Sequence, residues 1–320
     1  MVVGWRDTWP GVARKTITRW SSPGHWRTRR RVARGLSLPR LPKGDALWAI
    51  TMVKNEADII EATIRHLLSQ GVDRVLVVDN GSEDSTSDVL RDLARELPVH
   101  IGHDTEIGYY QAHKMTALAR AACRAGARWV IPFDADEFWF APDGDIRDFL
   151  ERQSATRVEA TMYNVFPTRT SPELHGLGQP VRLDLCPHLL TKVASRTHPL
   201  LWIGMGNHSA LRPGMSAGGL RIIHVPWRSG DQFRRKIRQG AAALRATDLA
   251  SEFGGHWRTQ DQNTDEILDA LWQGVLDARA DPAIGWRPVG PFIDADVSTW
   301  TTWDPDGIIP VDIPHQRPTF

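Results

Sequence analysis

Apolar residues follow two alternating rhythms in the first half of this chain. ALWAITMV (46–53) is an unbroken apolar run of strand length. The next stretch, KNEADIIEATIRHLLSQG, repeats Ile60, Ile64, Leu67 and Leu68 at helical spacing, with Asn55 as the expected N-cap, Asp58 three residues on and Gly71 as the stop. DRVLVVD (73–79) predicts a second buried strand. After the turn NGSED comes a helix, STSDVLRDLAREL, whose inward stripe is Leu90, Leu93, Ala94 and Leu97 and whose Ser85 and Asp88 form a capping-box pattern. VHIG predicts a short strand, YYQAHKMTALARAACRAG a helix, and RWVIPFD (128–134) another strand. Strands alternating with helices in this way are the signature of a parallel sheet covered by helices.

Beyond residue 141 the alternation weakens. RVEATMYNVF and LRIIHV read as strands, 171–180 and 211–219 as loops with Gly and Pro, and SGDQFRRKIRQGAAALRA as a helix with Phe233, Ile237, Ala241 and Leu244 inward. A nucleotide-type half followed by a less regular half of the same or a closely fused domain is expected, with no internal repeat.

Composition narrows the function classes. At 320 residues the chain can bury a large core, and a formal net charge of +1 with 41% hydrophobic residues gives no overall push toward nucleic acid or an anionic membrane. The charge is uneven, however: HWRTRRRVARGL makes the opening segment basic. That segment lacks the apolar core of a secretory signal, and nowhere do about 18 uninterrupted apolar residues suggest a membrane span, so a cytoplasmic protein is expected. The basic arm is open to three roles: peripheral contact with anionic phospholipid at the inner membrane face, an acidic partner, or a solvated tail. Cys123 and Cys186 have neither metal-ligand spacing nor a disulfide framework.

One apolar stretch carries unexpected charge. In IPFDADEFWF, Asp134, Asp136 and Glu137 stand between Phe133 and Phe138, just past a predicted strand's carboxyl end, where ligands bind in open parallel sheets. Burying clustered carboxylates is costly, so something positive is expected nearby. Either an Arg or Lys supplies it, or a divalent cation does. Asp134 and Asp136, two apart in an extended segment, project to the same side and suit Mg²⁺ or Mn²⁺ with phosphate and water completing the shell; Glu137 points otherwise.

MVKNEADIIEATIRHLLSQGVDRVLVVDNGSEDST, GYYQAHKMTALARAA and WVIPFDADEFW, in this order and spacing, resemble glycosyltransferase family 2, in its small soluble bacterial branch with a D-x-D-E-F motif. The resemblance covers about residues 46–140, extends loosely to GNHS and HVPWRS, and leaves the arm and the tail unmatched. It implies an α/β architecture of the GT-A type, a Rossmann-like mixed sheet with helices on both faces. It also implies a nucleotide-sugar donor, here expected to be a UDP-sugar, a divalent metal, and inverting transfer to a hydroxyl acceptor on a glycan, a lipid or a small molecule. The expected organisation becomes a basic arm over 1–45, a nucleotide-sugar half over 46–140, an acceptor half over 141–250, and a C-terminal helical segment and tail over 251–320.

The resemblance also distributes roles. Thr51, Val53, Asn55 and Glu56 would border the nucleobase and ribose. Asp79 and Asn80, ending the second strand, would hydrogen-bond the base, unless Asn80-Gly81 is only a tight turn. Asp104 and Lys114 fall where base- or phosphate-facing residues are placed, with a solvated lysine as the alternative. His208, between glycines and small residues, is the expected third ligand to the metal or a contact to its phosphate, with a satisfied structural histidine as the alternative; His224 follows it, and Arg228 could clamp the departing diphosphate. Glu137 and Asp184 are the candidates for catalytic base, because the glutamate-aspartate pair of many relatives is not recognisable downstream; Glu137 could equally orient the acceptor or play a structural role behind the other acids. Trp139, Trp202 and Trp227 lie beside these segments and are either sugar-stacking faces or core.

Two other classes compete. A nucleotidyltransferase needs a glycine-rich phosphate loop after its first strand, which VKNEAD lacks. A non-catalytic binding protein of the same fold predicts a degraded acid cluster, whereas Asp134 and Asp136 are intact.

Overall fold

The computed structural model describes residues 6–7, 22–247 and 260–309. The chain divides into two units, one from residues up to Thr161, Leu190–Ile222 and Thr301–Trp303, the other from Met162–Leu189, Ile223–Trp300 and the segment from Asp304 onward.

In the first unit α1 (Pro23–Gly35) and the two-residue strand β1 (Leu36–Ser37) precede β2 (Ala46–Val53), α2 (Ile60–Ser69), β3 (Arg74–Asp79), α3 (Thr86–Glu96), β4 (Val99–Asp104), α4 (Gln111–Ala125), β5 (Ala127–Pro132) and β6 (Glu137–Phe140). α5 (Ile146–Glu151), the first half of β7 (Arg157–Phe166) and β9 (Lys192–Arg196) follow. The sheet runs β7-β9-β5-β2-β3-β4-β1. β5, β2, β3 and β4 are parallel, while β9 and β1 join the sheet antiparallel.

This order has a physical cause. β2 and β3 are almost wholly buried apolar runs, as strands covered on both faces must be. The chain proceeds outward from β2 to β3 and β4, and α4 then carries it back to β5 on β2's other side. α4 is rich in small residues, so Met115, Leu118, Ala119 and Ala122 lie close against Trp48, Ile50, Leu76, Val78 and Val130 in one core. Each large side chain buried there is worth roughly 1.5–3 kcal/mol. The order reverses at β2, which makes the carboxyl ends of β2 and β5 the switch point where open sheets take ligands.

Some local expectations change. The first helix starts at Ile60 rather than near Asn55, and no side chain caps it. Asn55 instead takes a left-handed backbone, φ 57°. Ser85 is the N-cap of α3 but makes no side-chain cap bond; Asp84 Oδ1 accepts from the Thr86 amide instead. The basic segment over 22–35 is a helix with His25 and Val32 buried, not a solvated tail. Of the earlier arm, Arg6 and Asp7 pair antiparallel with Met215 and Gly214, and the rest lies outside the described residues.

The second unit contains the end of β7, β8 (Val181–Asp184), α6 (Gly230–Arg245), α7 (Asp265–Leu276) and β13 (Phe292–Ala295). β8 pairs antiparallel with β13. Phe233 and Ile237, on the predicted stripe of α6, pack with Phe166, Trp227, Leu268, Trp272 and Val275. Between β9 and α6 the chain forms β10 (Trp202–Ile203), β11 (Ala210–Leu211) and β12 (Gly214–His224). β12 therefore begins inside the stretch read as loop.

Candidate functional site at the carboxyl end of the sheet

Past Pro132 the chain turns tightly, the Glu137 amide donating to the Asp134 carbonyl at 3.1 Å. The turn sets three acids in different surroundings. Asp134 keeps 36% of its side chain exposed, Asp136 is 3% exposed, and Glu137, which opens β6, is not exposed at all.

The positive charge that such a cluster requires comes from Lys192, which the sequence reading did not single out. Ser195 pairs with Val130 across the antiparallel β9–β5 ladder, so the first residue of β9 comes level with the chain just past β5. Lys192 Nζ donates to Asp134 Oδ2 at 2.6 Å, and it meets Glu137 Oε1 at 2.7 Å as an ion pair without hydrogen-bond alignment. Glu137 Oε2 accepts from the Asp134 amide at 3.1 Å and from Trp139 Nε1 at 3.4 Å. Burial, with Asp134 and Asp136 adding to it against the pull of Lys192, pushes the Glu137 carboxyl up to about 8. Asp134 chiefly, with Glu137 behind it, keeps Lys192 in its charged form despite burial. Of the two roles open to Glu137, base on an acceptor or structural support for the neighbouring acids, its unexposed carboxyl and its contacts with the Asp134 amide and Lys192 favour the second.

The other oxygen of Asp134 is oriented from a second direction. Asn207 Nδ2 donates to Oδ1 at 3.1 Å and Gln111 Nε2 approaches it at 3.4 Å, while Gln111 Oε1 accepts from the Gly206 amide at 2.7 Å. Gly206 and Asn207 have φ of 65° and 59°, which folds the 205–208 turn back toward this acid. His208 sits at the end of this turn, its Nδ1 donating to the Thr191 carbonyl at 3.0 Å, one residue before Lys192. In the neutral ring this bond makes Nε2 the lone-pair nitrogen.

The remaining candidates of this unit build the rim. Asn55 Oδ1 accepts from the Glu83 amide at 2.7 Å, and the Glu56 amide donates to Thr86 Oγ1 at 2.9 Å, so the loop after β2 is sewn to the loop after β3. Asp79 Oδ1 accepts from the amide and hydroxyl of Ser82, and its Oδ2 accepts from the Ser87 hydroxyl. Asn80 donates to the Asp104 carbonyl and carboxylate and to the Glu106 carbonyl. Asp104 and Lys114 form an ion pair at 2.6 Å with both side chains buried, so Lys114 is not a solvated lysine. Burial draws the Lys114 ammonium down against the pull of Asp104. Thr51 and Val53 are buried within β2.

Three candidates belong to the second unit. Asp184 accepts from the amides of Cys186, Val289 and Gly290 at 2.9, 2.7 and 3.1 Å and is buried, so it clamps two loops together and is corrected as a base. His224 Nδ1 donates to Asn164 Oδ1 at 2.8 Å, and its ring meets Trp286 edge-on. Arg228 is 1% exposed, and its backbone fixes Leu174 and Gln232. Trp139 and Trp227 have no exposed surface and pack as core, and Trp202 is buried except for a small exposed edge.

Among the described residues no three His, Cys, Asp or Glu side chains converge as a ready-made cation cage. The donor set fits a weaker seat: hard Mg²⁺ or Mn²⁺ needs only one or two carboxylates when substrate phosphates and water supply the remaining oxygens. Asp134 is the exposed carboxylate of the turn, but Lys192 engages its Oδ2 and Asn207 and Gln111 engage its Oδ1, so a cation would have to displace an amide donor to reach it.

Residues 48–196, somewhat less than half of the chain, match the family Glycosyl transferase family 2. No curated protein matches the chain. Among solved structures, S. aureus TarS 1-349 in complex with UDP is 16% identical, with 68% of this chain and 71% of that chain covered and a TM-score of 0.37. The same protein in complex with UDP-GlcNAc is 15% identical over 68% and 72%, with a TM-score of 0.37. A putative glucose-1-phosphate thymidylyltransferase from Bacillus anthracis is 10% identical over 72% and 85%, with a TM-score of 0.27. Likenesses this distant leave the assignment to the family match.

Proposed function

We propose that this chain, whose residues 48–196 match Glycosyl transferase family 2, is a glycosyltransferase that moves a sugar from a nucleotide-diphosphate donor to a hydroxyl acceptor. The observation that carries the reading lies inside the matched segment. Asp134 is a half-open carboxylate at the switch point of the sheet, fixed from one side by Lys192 and from the other by Asn207 and Gln111.

The residues divide the work. Lys192 and Glu137 hold Asp134 in one rotamer, so its half-exposed carboxylate is preorganised before the donor arrives. The stitched loops carrying Asn55, Glu56, Asp79 and Asn80 form a rigid rim beside which a nucleoside can lie, and Thr51 and Val53 shape the strand beneath it. Asp134 and Asp136 would hold Mg²⁺ or Mn²⁺ brought in with the diphosphate, and His208 would meet the phosphate. When bound, such a cation neutralises the charge that develops on the leaving diphosphate. UDP is the first nucleotide to test. Inversion at the anomeric carbon enters through the family resemblance and is read by the anomeric NMR signal of the product.

The experiment is a panel of nucleotide-sugars incubated with the protein and followed by mass spectrometry. Slow release of nucleoside diphosphate and free sugar from one donor, without acceptor, is the expected result. Formation of nucleotide-sugar and pyrophosphate from a nucleoside triphosphate and a sugar 1-phosphate would instead make the protein a nucleotidyltransferase.

A further inference from the structure

A second concavity lies away from the acidic turn. It is a cavity of about 400 Å³ lined by α1 and α4 together with Trp202, within the range of roughly 300–1,000 Å³ usual for ligand sites. Its polar lining is of one sign. Arg29, Arg120 and Arg124 line it with His25 and His113, whose facing ring nitrogens are 3.2 Å apart, and no Asp or Glu does. Apart from Thr116 its other lining is apolar, including Val32, Leu36 and Leu38 and Trp202, which packs edge-on to His113.

α1 extends the same chemistry over the surface. PGHWRTRRRVARG contains no acid, and Arg27, Arg29, Arg30, Arg31 and Arg34 are all exposed. Arg31 is engaged with Glu106 at 2.5 Å. Trp26 is 39% exposed, and the Arg29 guanidinium lies 4.9 Å from its ring centre. A soluble phosphate has no use for an apolar wall, and a neutral lipid has none for five basic side chains. A basic helix with a surface tryptophan beside an apolar-backed cationic cavity suits a ligand that is anionic at its head and apolar behind it.

We infer that the α1–α4 cavity receives the phosphate headgroup of an anionic phospholipid and that α1 lies along the membrane surface, docking the protein on an anionic bilayer. No bond is made or broken. The inference does not depend on sugar transfer, so each can fail alone. It gives the lipid contact considered for the basic arm a defined seat.

The test is co-sedimentation of the full chain with phosphatidylcholine vesicles, with or without phosphatidylglycerol. Partitioning onto the anionic vesicles should exceed that onto the neutral ones by about tenfold or more and should fall as salt rises. Arg29→Glu/Arg124→Glu, two exposed positions on different cavity walls, should lower partitioning about tenfold or more. Arg91→Glu/Arg95→Glu, the same charge change on α3 and outside the cavity lining, should lower it less than about twofold. Circular dichroism of both variants checks the fold, and Arg29→Ala/Arg124→Ala replaces the first pair if it unfolds. Equal losses in the two charge-reversed pairs would overturn the seat, because only net charge would then matter. Equal binding to both vesicle types, or none, would overturn the membrane. So would a melting temperature raised by glycerol 1-phosphate, or binding of a single-stranded oligonucleotide, without vesicle binding.

Discussion

Lys192 places its ammonium 2.7 Å from Glu137, a carboxyl with no exposed surface, and so brings a full charge from β9 into the acidic turn after β5. Removing one partner of a buried pair strands the other. Lys192→Met is therefore expected to cost about 3–5 kcal/mol in urea denaturation, and Lys192→Met/Glu137→Gln less than the sum of the single changes. Additive losses would mean that the two side chains do not act as a pair.

The same pair gives stability a pH dependence. The unfolded chain releases the Glu137 proton near its ordinary 4.5, while burial lets the folded chain keep it to about 8. Between those values the folded state binds the extra proton, so this contribution is complete below 4.5 and is lost as pH rises through 8. Lys192, raised above its ordinary 10.5, does not titrate in this window. Chemical denaturation across pH 4.5–8 should show wild-type stability falling by roughly 2–4 kcal/mol relative to Glu137→Gln, in which the difference is absent.

Lys114 and Asp104 pose the question at the far side of the switch point. With both side chains buried and 2.6 Å apart, Lys114→Met should destabilise by about 3–5 kcal/mol. Any loss of nucleotide affinity should follow the loss of fold. Should Lys114→Met weaken nucleotide binding while denaturation is unchanged, Lys114 faces substrate after all.

Asn55 joins the loops after β2 and β3 from a left-handed backbone. Asn55→Ala loses the acceptor and meets the positive-φ penalty, for an expected cost of about 2–3 kcal/mol; Asn55→Gly, relieved of the second term, should cost about 1–2 kcal/mol. Thermal melts that rank Gly below Ala would contradict this role of the positive φ.

These positions show what could be read from sequence. The strands over 46–53 and 157–166 appear at their expected bounds because an unbroken apolar run and an alternating one each have a single comfortable seat in a sheet. The site was legible as a location, since clustered acids past a strand end are too costly to keep without a binding partner, and as a demand for a nearby cation. Which cation was not legible. Lys192 is 58 residues from Asp134 and becomes its neighbour only through the antiparallel register of β9. Its one local signal is a lysine opening the otherwise apolar-to-small KVAS, next to nothing acidic. Asn55 misled for a related reason, because a residue suited to a cap is equally suited to a left-handed loop. Asp184, set among apolar neighbours, likewise gave no sign of the three backbone amides that occupy it.

Gly206 tests the turn that carries His208. A Cβ there would come within 2.4 Å of the His208 ring and would sit at φ 65°. Gly206→Ala should therefore displace the imidazole and weaken nucleotide binding about tenfold at a modest stability cost of about 1–2 kcal/mol. Unchanged affinity would place His208 outside the site.

The measurement closest to the central claim is calorimetric titration of UDP into the protein with Mn²⁺ and with chelator, for wild type and Asp136→Ala. Binding is expected only with the cation and weakened by about tenfold or more in the variant, while Mn²⁺ alone, without a ready-made cage, should bind only weakly. Binding of equal strength in chelator, or none by UDP or any other common nucleoside diphosphate, would contradict the assignment of the acidic turn as the donor site.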